Sequence, residues 1–205
     1  MISLRTFVFI DSLQPQLASF IGTLSKGFLP LPGQASMHIE VAPGMAINQA
    51  MDVALKATRV APGLLIVERA FGLMEVHHDN QGEVLQAGES VLNYYKLQEK
   101  DRIKPKIVSD QIIRSLEPYH SQLLNRVRYG SMILPGESLF ILETEPAGYA
   151  ALAANEAEKT ADVKLIDLKS VGAFGRLYMS GCEAMIDFAR DAAIKSLQNL
   201  TGAES

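Results

Sequence analysis

The chain contains no tryptophan and one cysteine, Cys182. A single cysteine excludes an internal disulfide framework and suits a reducing compartment. No basic tract is present and the formal net charge is −4, so nucleic acid and anionic membranes are poor partners. No apolar run approaches the ~20 residues that a membrane-spanning helix needs. The stretch from Met1 to Ile10 is too short for a signal peptide or a span, and Asp11 interrupts it. The expected location is therefore the cytosol. No nucleophile–base pair, glycine-rich phosphate loop or metal cluster stands out, which argues against an enzyme. No cofactor is implied.

What is present is a globular composition. Of 205 residues, 48% are hydrophobic and 20% charged, well away from disorder. Sliding the chain by 103 positions aligns turn residues and spaced apolar residues in one register. Ser12-Leu13 falls on Ser115-Leu116, Pro15 on Pro118, Gly27 on Gly130, and Leu31-Pro32-Gly33 on Leu134-Pro135-Gly136. Further along, Glu40 meets Glu143, Pro43 meets Pro146, Lys56 meets Lys159, Val60 meets Val163, and Phe71-Gly72 meets Phe174-Gly175. The chain reads as a duplication, with domains at residues 1–103 and 104–205. The polar segment Gln98 to Arg102 marks the boundary. The register is expected to slip before the last helix, where Gly82 best matches Gly181.

Each copy reads as strand, helix, strand, helix, strand, strand, helix. The first strands are Arg5 to Ile10 and Ile107 to Ile113. The first helices follow, with Ser12 and Ser115 as N-caps and proline in the first turn. Leu13, Leu17, Phe20, Ile21 and Leu24 share a helical face. Gly27 and Gly130 are natural residues just past the helix end. Strands Ser36 to Val41 and Ser138 to Thr144 come next. Second helices cover 46–58 and 148–161, and last helices Gly82 to Leu97 and Glu183 to Leu200. This order predicts an α+β fold, with helices layered on a mixed sheet.

The stretch Pro62 to Val76 holds two apolar strands around Glu68-Arg69. Val163 to Met179 has the same shape, with Val171-Gly172 in place of the charged pair. By itself Glu68-Arg69 reads as a surface ion pair after a strand. Lys56 and Lys159 read as solvated lysines near helix C-termini, where a cation suits the helix dipole. His77-His78-Asp79 is placed in a turn, lacks a partner cluster and is missing from the second copy, so no metal site is expected. Arg126, Arg128 and Arg176 read as solvated surface arginines, the alternative being that they line a pore or chamber and attract anions.

Several stretches resemble a known family. Asp162-Val163-Lys164-Leu165 after Ala157-Glu158-Lys159-Thr160-Ala161 resembles the bacterial microcompartment shell domain. Asp11 to Gln16, Gly27 to Gly33, Ile66 to Arg69 and Ala150 to Lys159 are similar to the tandem-domain, circularly permuted shell proteins of carboxysomes, nearest to the β-type members. The resemblance covers nearly the whole chain. It implies two permuted ferredoxin-like shell domains and a homotrimer that mimics a hexagonal tile, with a central pore. Some relatives stack two trimers face to face. On this resemblance Glu68 and Arg69 form a pore gate, and Val171 and Gly172 line the same pore from the second copy. Lys56 and Lys159 lie at the tile edge, against hexameric shell proteins. The pore would pass small, mostly anionic metabolites. The alternative is a soluble trimer that binds a small ligand without tiling.

Overall fold

The computed structural model describes residues 2–204. The first half runs β1 (Ser3–Ile10), α1 (Pro15–Leu24), β2 (Ala35–Ala42), α2 (Ile47–Ala57), β3 (Ala61–Glu68), β4 (Phe71–His78) and α3 (Gln81–Tyr95). The second half repeats it as β5 (Lys106–Ile113), α4 (Pro118–Val127), β6 (Ser138–Glu145), α5 (Tyr149–Thr160), β7 (Lys164–Lys169), β8 (Gly175–Gly181) and α6 (Glu183–Gln198). Each half builds its own four-stranded sheet, in the orders β1-β2-β4-β3 and β5-β6-β8-β7. Among the described residues no helix is long and apolar enough to cross a membrane.

The α+β class holds, but the sheets are not mixed. Every strand pairing in them is antiparallel. The reason lies in the hairpin. The helical connection α2 leaves β2 and β3 pointing the same way, yet β4 folds back from β3 and occupies the slot between them. A tight hairpin claims its antiparallel neighbour before a crossover can pair parallel strands. The shift of 103 holds through the sheets: Ala35 faces His78, and Ser138 faces Gly181. Gly82 and Gly181 are not counterparts, because Gly82 lies in the first turn of α3 and Gly181 ends β8. His77 likewise lies in β4 rather than in a turn.

Three local readings change. The N-cap positions of the first helices are Gln14 and Glu117, not Ser12 and Ser115, because Pro15 and Pro118 occupy the first helical position. Gly27 does not end α1; a Cβ there would stand 2.2 Å from the Pro62 carbonyl oxygen, so close approach to β3 excludes any side chain. The segment Gln98 to Arg102, read as a polar boundary, is partly buried. Arg102 is buried, and its guanidinium donates to the carbonyls of Phe7 and Thr201, both at 2.8 Å.

Alternation along β2 sends Met37, Ile39 and Val41 toward α2 and α3, where they pack with Ile47, Ala50, Ala54, Ala87 and Val91. The opposite face carries Ser36, His38 and Glu40, all buried. His38 faces Glu75 across the ladder, and Ser36 faces His77. Glu75 accepts from the Ser36 hydroxyl at 2.6 Å and lies 3.1 Å from His77 Nδ1. Neither ring nitrogen of His38 has a partner among the described residues. In the second half the matching pair is apolar and aromatic, Ile141 opposite Tyr178.

Burial pushes the His38 pKa below the ordinary 6.5; the Glu75 charge opposes this and His77 adds to it. The unfolded chain takes up a proton below pH 6.5 that folded His38 refuses. Stability attributable to this residue is therefore full above pH 6.5 and falls below it, by up to about 1.4 kcal/mol per pH unit. His38→Ile, which installs the residue of the matching position, should flatten that fall. Urea unfolding at pH 7, 6 and 5 reads it; an equal acid loss in the variant would assign the effect elsewhere.

Candidate functional site

β3 ends at Glu68 and β4 begins at Phe71, so Arg69 and Ala70 make the turn. Arg69 has φ 53, in the left-handed region. A residue with a Cβ gives up roughly 1–2 kcal/mol there. Between β7 and β8 the connection is longer, residues 170–174. Gly172, which matches Arg69 in the repeat, has φ 99. The two copies thus share a left-handed position at the same point, filled by arginine in one and glycine in the other.

The two connections meet. Glu68 Oε1 lies 3.7 Å from Lys169 Nζ, and a Cβ built on Gly172 would stand 3.1 Å from the same oxygen. Together they line a groove of about 340 Å³ that includes Glu68, Arg69, Lys169, Val171, Gly172 and Arg176. Arg176 pairs with Glu143 at 2.9 Å, its cross-strand neighbour. Among the described residues Arg69 forms no ion pair, and its side chain is exposed. The groove therefore brings together all four residues expected at the pore and adds two cations. Arg176, read from sequence as solvated with the pore as the alternative, lies on the groove, whereas Lys169 gives no signal in the sequence because its repeat counterpart is Ile66. The contact between the two connections shows where they lie.

Lys56 and Lys159 lie away from this groove. Each occupies the last turn of its helix. Lys56 pairs with Asp52 at 2.6 Å on an open surface, whereas Lys159 reaches Asp11 of the other half at 3.4 Å. Cys182 is exposed at the N-cap position of α6. Arg126 and Arg128 belong to the end of α4, outside the groove. No group of three or more metal-ligating side chains occurs among the described residues.

The halves are joined by a helix that lies between β3 of its own sheet and α5 and β7 of the other half. The N-terminus of α1 has no side-chain cap of its own. Instead Glu158 of α5 accepts from the backbone N–H of Gln16 at 2.7 Å and of Leu17 at 3.0 Å, and Asn155 accepts from that of Gln14. The Gln16 amide then bridges the Val163 carbonyl and the Leu165 N–H. A carboxylate suits this end of a helix. Burial raises the Glu158 pKa, and the two N–H donors pull it back. Below the cap, Leu17, Phe20 and Ile21 share one core with Ala153, Ala157, Val163 and Leu165. Among the described residues the second half has no equivalent contact within the chain. Glu117, in the place of Gln14, caps its own helix through the N–H groups of Tyr119 and His120. On α4, Tyr119, Leu123 and Val127 are 61–74% exposed. The matching seat on the first half is an uncovered groove of about 440 Å³ that includes Met51, Leu55, Pro62 and Leu65.

Comparison with known proteins bears on the family and the fold. Residues 4–101 match the family model of the CsoS1D N-terminal domain. The chain is 53% identical over 203 residues to the carboxysome shell protein CcmP of Synechococcus elongatus, covering 99% of this chain and 95% of that one. It is 54% identical over 202 residues to the carboxysome shell protein CsoS1D of Hydrogenovibrio crunogenus, covering 98% of each. Among solved structures, the fused permuted hexameric shell protein of the RMM microcompartment superposes with a TM-score of 0.95 at 49% identity, over 98% of this chain and 100% of that one. The double-ringed trimeric shell protein of the same microcompartment gives 0.96 at 37% identity, over 100% of both.

If the second half supplies the cap of α1, removing it exposes two N–H groups at a buried helix end. Glu158→Ala should cost about 2 kcal/mol, and Glu158→Gln, which keeps one acceptor, about half of that. Urea unfolding checks both; unchanged midpoints would show that α1 needs no cap from α5.

Proposed function

The chain belongs to the family of tandem-domain carboxysome shell proteins that includes CcmP and CsoS1D, and from that premise we propose that three copies close into a shell tile around a gated pore. It is a structural shell protein, and its relatives are named for that role rather than for an enzymatic one. The observation that carries the pore reading is the convergence of the two hairpin connections on one groove.

The unmet half of the α1 contact supports the trimer. α1 sits on the second half within a chain, and the bare face of α4 fits the bare seat on the first half of another copy. One kind of contact, made alternately within and between copies, joins the six halves of three chains into a ring. We place the junction of the two shell domains after residue 103, beside the buried Arg102. The double-ringed neighbour supports stacking of two such trimers face to face. The compartment is the carboxysome.

At the threefold axis three Glu68-Arg69 turns alternate with three Val171-Gly172 connections. Three guanidinium groups about 6 Å apart repel by roughly 0.7 kcal/mol per pair in water, or about 2 kcal/mol in all. Pairing each with a Glu68 across the axis offsets that and closes the hole. Swinging the side chains away opens it. A few kcal/mol is the scale on which a bound metabolite switches a two-state element. Arg69, Lys169 and Arg176 give the rim a cationic character suited to small anionic metabolites of carbon fixation, such as sugar bisphosphates and phosphoglycerate.

Single-particle imaging of wild type, Glu68→Ala and Arg69→Ala tests the gate. The expected result is a threefold tile with both side chains at the axis and a changed aperture in each variant. One aperture in all three, with those side chains far from the axis, overturns it. Lys56 and Lys159 are assigned to the tile edge. Lys56→Ala or Lys159→Ala should leave trimers intact by sedimentation and weaken sheets seen by electron microscopy. Soluble trimers that never tile, and bind a ligand stoichiometrically, would instead favour a sensing protein.

A further inference from the structure

A gate that opens by parting Glu68 from Arg69 needs somewhere to put the carboxylate. The second connection has such a place. Glu68 Oε1 lies 3.7 Å from Lys169 Nζ, over a residue that has no side chain. That residue, Gly172, has φ 99, and a Cβ on it would approach Glu68 to 3.1 Å. Any other residue there would both strain the backbone and crowd the carboxylate. Lys169 closes β7 and has no cationic counterpart in the first half, where Ile66 stands. Arg69 meanwhile is exposed and makes no ion pair among the described residues.

We propose that the second connection is a latch: Lys169 holds Glu68 on the bare surface of Gly172, withdraws it from Arg69 and so biases the pore toward its open state. The inference rests on the gate proposed above and names a positioning residue for it. With Glu68 latched, three unpaired Arg69 groups repel and move apart. With Glu68 released, each pairs across the axis and the hole closes. The divergence of the two copies at this connection then has a cause. One copy carries the moving pair and the other carries its seat.

The side chains of Lys169 and Glu68 are 48% and 37% exposed, so water and salt screen each latch. One such pair shifts a population a few-fold at most, and three moving together by roughly a hundredfold. The test compares wild type, Lys169→Met, Lys169→Arg and Glu68→Gln trimers by single-particle classification into open and closed states, at low and high salt. Lys169→Met should raise the closed fraction several-fold over wild type at low salt and lose most of the salt dependence. Lys169→Arg, which keeps the cation, should restore both. If Lys169→Met matches wild type, or shifts it toward open, while Glu68→Gln still moves the fractions, the latch is wrong and the gate stands. If Glu68→Gln moves nothing either, the gate fails and the latch with it.

Discussion

The contact on which the architecture depends is the seating of α1 on the second half. A helix start leaves N–H groups without partners, and leaving them so inside a protein is costly. Gln14 offers α1 no cap. Glu158 and Asn155 satisfy the first turn from α5, and Gln16 ties it to the start of β7. Once the helix is committed there, its face extends one continuous core across both halves. Arg102 then fastens the junction by bonding Phe7 of the first half and Thr201 of the C-terminal tail. The two halves cannot separate without stripping a helix end and exposing a buried guanidinium.

The duplicated halves keep one backbone and divide the work between them. Glu117 replaces Gln14, so the first turn of α4 is capped by its own neighbour and draws no cap from the other half. Leu55 stands where Glu158 would be, so the first half offers an apolar seat instead of a carboxylate. The buried polar face of β2 and β4, with Glu75 held by Ser36 and His77, meets its counterpart in a cluster of Leu139, Ile166, Ile141 and Tyr178. Each exchange keeps the strand register while changing what a face can bind. A monomer that had to bury every apolar surface by itself would not leave Tyr119, Leu123 and Val127 in water.

The repeat was legible because turn residues and close-packed glycines cannot drift: Gly33 and Gly136 share a left-handed backbone, and Gly27 and Gly130 each face a carbonyl. Element order followed from apolar periodicity, and the family followed from residue-level resemblance. The sheet order did not, since a strand's pattern says which face is buried and not which strand lies beside it. The apolar stripe Leu17, Phe20, Ile21 declared that α1 is buried, but nothing in it names the other half as its host. Arg102 sits in a charged segment that reads as solvated, and its burial depends on two carbonyls distant in sequence. Lys169 was hidden for a related reason. Its role comes from lying beside a turn about a hundred residues earlier in the chain, and its repeat counterpart is an isoleucine.

The left-handed turn position makes the asymmetry of the groove intelligible. Both copies need φ above zero at that point for the hairpin to close. Glycine meets the requirement without cost, and the second copy uses it. The first copy holds an arginine there against a penalty of roughly 1–2 kcal/mol. A strained backbone persists where the side chain is worth more than the strain. Among the described residues the Arg69 guanidinium makes no ion pair, and the residue is exposed rather than covering the core. The gate proposed above would give that charge its worth, at a groove where Glu68 already lies 3.7 Å from Lys169.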